Sequence, residues 1–150
     1  LVHIAVDGAG CRTGHAAQGW LDVLQELAGR GVDINAPDGD GVSPICDAAE
    51  RGNVDMVRLL ARLGADLGVL DGGGRTLVYC AAMFGRTDVV RLLVDLGARL
   101  DTADQGGRTP TWIAARMGNA EVVKLLVGCG FASRYQVWKF QVCPARTAPL

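Results

Sequence analysis

A single interval governs this chain. Gly41, Gly74 and Gly107 stand 33 residues apart, as do Gly19, Gly52, Gly85 and Gly118, and as do Gly31, Gly64, Gly97 and Gly130. A fixed period of that size marks stacked repeats, each a small unit that buries its apolar face only against its neighbours. Other residue types keep the same register. Residues 41–73 and 74–106 share Ala48/Ala81, Ala49/Ala82, Asp55/Asp88, Val57/Val90, Leu60/Leu93 and Asp71/Asp104, and the next unit continues with Ala114, Ala115, Val122, Val123, Leu125 and Leu126. A stack presents an extended surface and seldom encloses a reaction, so the period bears on function as well as fold.

Each unit has a physical reading. The paired alanines suit a short helix packed closely on its neighbours, and alanine costs least in a helix. Gly52, Gly85 and Gly118 stop that helix, because glycine accepts the left-handed conformation just past a helix end. A second helix follows with a wide apolar face: Met56, Val57, Leu59 and Leu60, then Val89, Val90, Leu92 and Leu93, then Val122, Val123, Leu125 and Leu126. Gly64, Gly97 and Gly130 are read as its stops. Asp38-Gly39, Asp71-Gly72 and Asp104 to Gly107 read as tight turns. Ser43-Pro44 and Thr109-Pro110 supply a hydroxyl cap and a proline for the first turn of a helix. Asp55, Asp88 and Glu121 fall near the start of second helices, where they favour the helix dipole.

The segment Asp104 to Gly118, DQGGRTPTWIAARMG, followed by EVVKLLVGCG, resembles the ankyrin repeat. The resemblance covers roughly residues 19–132. It implies an all-α fold, a solenoid of helix-turn-helix units joined by β-turn loops. The expected layout is a repeat domain over 1–132 with repeats 41–73, 74–106 and 107–132. Ahead of them lies an irregular first repeat, 1–40, with an insertion near 7–18, and behind them a non-repeat cap or tail, 133–150. The pattern departs from the family at Ile45-Cys46, Val78-Tyr79 and Thr111-Trp112, which stand where Leu-His is usual, and at Leu77, which replaces the proline. The histidine that braces the turn in the family is thus absent from all three units.

The two ends depart further. In the first unit Leu1 to Val6 resembles a first helix, with His3 at the histidine position, and about ten residues then intervene before Gly19. A second possibility is that Ala16-Ala17 belongs to a shortened helix. The chain opens inside a repeat and without methionine, which is the expectation for a piece of a longer protein. At the other end Trp138, Phe140 and Val142 alternate, as in a short strand or an arm laid over the last repeat.

Composition narrows the function classes. Apolar residues make up 49% of the chain, enough for a core spread along a stack, and the net charge of −1 gives no global field to draw nucleic acid. No apolar run approaches the ~18 residues of a membrane span. The five cysteines, Cys11, Cys46, Cys80, Cys129 and Cys143, match no metal spacing and are read as buried or idle thiols. Cys11 and His15 cannot close a tetrahedral site by themselves. A reducing intracellular setting, cytoplasm or nucleus, is expected. Gly8 to Gly14 after the apolar run Leu1 to Val6 resembles a dinucleotide turn, but its glycine spacing is not the strict fingerprint, and the repeat register claims the same helix. With two histidines in all, both in the irregular first unit, no catalytic constellation emerges. No cofactor and no metal are expected.

The resemblance implies a non-enzymatic protein-interaction module, a monomer whose partner docks on turn tips and on the exposed side of the first helices. The matching positions fall in three rows. Val42, Arg75 and Arg108 follow the turn glycines. Glu50, Met83 and Arg116 follow the alanine pairs, and Arg51, Phe84 and Met117 come next. Large apolar residues ringed by arginine make a reasonable hot-spot composition, suited to an acidic, partly apolar partner. Phe84 or Met117 has an alternative place against a neighbouring repeat or the C-terminal arm, and Trp112 is assigned to the core. Asn35 is expected to hydrogen-bond its turn. Two wider settings stay open: the targeting segment of a larger enzyme, such as a kinase or ubiquitin ligase, and an architectural spacer.

Overall fold

The computed structural model describes residues 14–135, which form seven α-helices and no strand. These are α1 (Gly14–Gly29), α2 (Pro44–Arg51), α3 (Val54–Arg62), α4 (Leu77–Met83), α5 (Thr87–Asp95), α6 (Pro110–Arg116) and α7 (Ala120–Tyr135). From α2 onward they form three pairs of a first and a second helix. First helices pack on first helices, α2 on α4 and α4 on α6, while α3, α5 and α7 pack in a second layer behind them. The result is a two-layer solenoid whose core runs along the stack.

Local chemistry sets the helix ends. Ser43, Thr76 and Thr109 cap the first helices, each hydroxyl accepting from the backbone N–H three residues on, and Asn53 caps α3 in the same way. Pro44 and Pro110 open α2 and α6, where their missing N–H costs nothing. Leu77, the substitute for proline, is fully buried in α4. Past the helix ends the glycines of the ladder adopt positive φ, and the residue after each donates back into the helix: Asn53 to Ala48, Arg86 to Ala81 and Asn119 to Ala114.

Burial follows the period until the last unit. Ala48, Ala49, Ala81, Ala82 and Ala114 are fully buried, as are Leu60 and Leu93. Ala115, the third copy of Ala49, is exposed. The side of α6 that an inner first helix would bury has no following first helix against it among the described residues.

Two rungs of the ladder behave differently from the sequence expectation. Gly19 lies inside α1, which runs unbroken from Gly14, and Gly130 lies inside α7, which continues to Tyr135. A glycine within a helix costs only about 1 kcal/mol relative to alanine, and packing by the rest of the helix can override it. A Cβ on Gly19 would touch nothing, so no tight contact demands glycine there. Residues 14–18, assigned to an insertion, are thus helical. The apolar run Leu1 to Val6, the glycine turn that follows it, and the alternating segment from Trp138 to Val142 lie outside the described residues.

The cysteines divide. Cys46 and Cys80 are free and fully buried. The neighbouring Cys46, followed by burial, pushes the Cys80 thiol up, away from the reactive thiolate. Cys129 is also buried but is disulfide-bonded, which corrects its assignment as an idle thiol. Free core thiols fit a reducing compartment and the disulfide does not.

Candidate interaction surface

The turns that carry the first row are built around aspartates, buried at Asp71 and Asp104 and exposed at Asp38. The Asp104 carboxylate accepts from the backbone N–H groups of Gly106 and Arg108, both at 2.9 Å, and from Arg108 Nε at 2.9 Å. Asp71 repeats the pattern with Gly73, Arg75 and the Arg75 guanidinium. Asp38 holds the amides of Asp40 and Val42 in the same way, with valine where the later turns have arginine. Burial, and then the nearby Asp104 carboxylate of the following turn, raise the phenol of Tyr79, which stands at the family's histidine position.

This clamp is written into the Asp104 carboxyl. Burial acts to raise it, but the amide and guanidinium of Arg108, with Tyr79 and Gly106, outweigh burial and hold it at about 2, below the ordinary 3.8. A carboxyl depressed in the folded state stabilises the fold above its unfolded value, and the contribution is lost as pH falls through 3.8 toward about 2. Thermal melts across that window are expected to show a steeper loss of Tm in the parent chain than in Asp104→Asn, which has no such proton to gain. Parallel slopes would remove Asp104 as the cause.

Side chains at one register position tie neighbouring units together. Arg86 Nε donates to the Glu50 carbonyl at 2.8 Å, and Asn119 Nδ2 donates to the Ala82 carbonyl at 2.9 Å and the Met83 carbonyl at 3.2 Å. The Glu50 and Met83 carbonyls lie at helix ends, where intrahelical partners run out, while the Ala82 carbonyl also accepts from the Gly85 N–H. At the opposite end of the unit, Asn35 Oδ1 accepts from the Asp66 amide at 2.9 Å, so this asparagine bonds across to the next repeat.

On the first-helix face the three rows are in register but differ in exposure. Val42, Glu50, Arg75 and Met83 are half-buried, while Arg51 and Arg116 are exposed. Phe84 is 45% exposed and Met117 55%, so neither is buried in a neighbouring repeat, while the C-terminal arm lies outside the described residues. Burial raises the Glu50 carboxyl, and the nearby Arg75 opposes that rise.

Trp112 corrects its assignment to the core. It is 43% exposed, with the Arg108 guanidinium 5.8 Å and the Arg116 guanidinium 5.3 Å from its ring centroid. Its copies Cys46 and Tyr79 are buried. Tyr79 is covered because the next unit's turn, with Asp104, lies over it. No such turn covers Trp112 among the described residues. A fourth row, Cys46, Tyr79 and Trp112, therefore joins the surface only at its last member. Cation–π attraction holds the two arginines beside the indole.

This geometry defines a helical-repeat scaffold with variable side chains on a solvent-facing surface. A family model described as ankyrin repeats in three copies matches residues 13–104 and again 63–134. The chain belongs to the ankyrin repeat family, whose members are generally protein–protein interaction modules and typically non-catalytic. No curated protein matches the chain. Among the described residues, no group of histidine, cysteine and acidic side chains could hold a metal ion, and no helix is long and apolar enough to cross a membrane.

Proposed function

We propose that this stack binds a partner protein on the concave surface formed by its turn tips and first helices. Docking is reversible, on a surface already formed, and no chemistry follows. The observation that carries this reading is the exposure of Phe84 and Met117 at matching positions of two successive units. Arg75 and Arg108 border that face from the turns and Arg116 from α6; Val42, Glu50, Arg51 and Met83 extend it over the remaining units. A pre-formed scaffold loses little conformational freedom on binding, so a few anchors suffice. A protein suits this surface better than a nucleic acid, because a stable grip on DNA commonly uses about 6–10 phosphate contacts.

The test is an affinity pull-down with the parent chain and with Phe84→Asp, alongside far-UV circular dichroism. The variant is expected to lose at least about 2 kcal/mol of partner affinity, the scale of a hot-spot residue, with its helical signal unchanged. A collapse of the helical signal would place Phe84 in the core and remove it from the site.

A further inference from the structure

We infer that Arg108, Trp112 and Arg116 read a carboxylate on an acidic peptide segment. This rests on the docking reading above and names the chemistry of the partner.

Charge placement carries this inference. The acids of this face point inward and the arginines outward. The side chain of Asp104 is 1% exposed, whereas that of its partner Arg108 is 46% exposed; Asp71 is likewise hidden behind Arg75. Arg116 makes no ion pair among the described residues, and its recorded contact is the Trp112 ring. Solvent at this end of the stack therefore meets guanidinium groups with their counter-charges buried, although the chain as a whole carries −1. At the α2 end the corresponding positions are Val42 and half-buried Glu50, with exposed Arg51 beside them. Planar guanidinium groups match a carboxylate's two oxygens, and stacking on the indole limits their freedom before anything binds.

The probe is a fluorescein-labelled nine-residue peptide, Glu-Ser-Leu repeated three times, followed by fluorescence anisotropy against the whole chain. Controls are the peptide with Gln for Glu, the peptide with Ser for Leu, a phosphoserine version with no Glu, and a nine-nucleotide single-stranded DNA. The Glu-Ser-Leu peptide is expected to bind about fivefold or more tightly than its Gln version, with the advantage shrinking as salt rises. Arg116→Gln and Trp112→Ala are expected to erase that advantage while leaving the melting temperature in place; Arg116→Lys is expected to retain part of it. Equal binding of the Gln peptide, tighter binding of the phosphoserine peptide or the DNA, indifference to Arg116→Gln, or no saturable binding of any peptide overturns the assignment. If Phe84→Asp abolishes partner capture while Glu and Gln peptides bind alike, the carboxylate assignment alone has failed. If capture survives both Phe84→Asp and Arg116→Gln, the docking reading has failed.

Discussion

Leu93→Ala is expected to destabilise the stack by about 2–5 kcal/mol, the usual cost of emptying a fully buried leucine site. Leu93 is completely buried on α5, the central second helix, which packs against α3, α4 and α7. The loss is large against the roughly 5–15 kcal/mol that holds a typical domain together. Its consequence is sharper in a solenoid, because each unit is supported only by its neighbours. Damage to the middle unit uncouples the two flanking ones. Urea unfolding followed by circular dichroism is expected to show a lower midpoint and a broadened transition. Val127→Ala on α7, where the side chain is 54% exposed, is expected to change stability by no more than about 0.5 kcal/mol. Equal shifts for the two variants would show that the stack is not held by its second-helix core.

Gly85→Ala is expected to cost about 2–3 kcal/mol, and Gly118→Ala only about 1–2. The two glycines have the same role and similar backbone angles, φ 66° and 77°. The left-handed conformation alone costs a side chain about 1–2 kcal/mol. At Gly85 an added Cβ would also sit 2.7 Å from Asn119 Oδ1, whereas at Gly118 it meets nothing within 4 Å. Relief of that clash requires Asn119 to move, which breaks its bonds to the Ala82 and Met83 carbonyls. The difference between the two variants in chemical denaturation therefore isolates the bond between units. Identical losses would mean that Asn119 contributes nothing to stacking.

How much of this was legible beforehand differs from residue to residue. The caps at Ser43 and Thr109, and the turn glycines of the inner units, depend on neighbours within a few positions, and periodicity alone exposes them. Gly19 and Gly130 keep the period yet lie within helices, because a helix stop needs a turn to follow, not only a glycine. Trp112 was missed for a related reason. Its register position is buried in the two earlier units, and what buries Tyr79 is the next unit's aspartate turn. One period after Asp104 stands Val137, and no Asp-Gly turn recurs there. That absence was the available signal that the last member of this row need not share the fate of its copies. The proximity of Tyr79 to Asp104 was hidden differently: the two residues belong to different units, and only stacking brings the phenol near that carboxylate.

By itself the sequence determined the repeat, its length, the two-helix unit and the rows of variable positions, since all follow from local conformational preference and apolar periodicity repeated in register. Only the tertiary structure decided which members of those rows face solvent. Burial in a stack is conferred by the neighbouring unit, so Cys46, Tyr79 and Trp112 share one position and yet two lie in the core and one lies between two arginines on the surface.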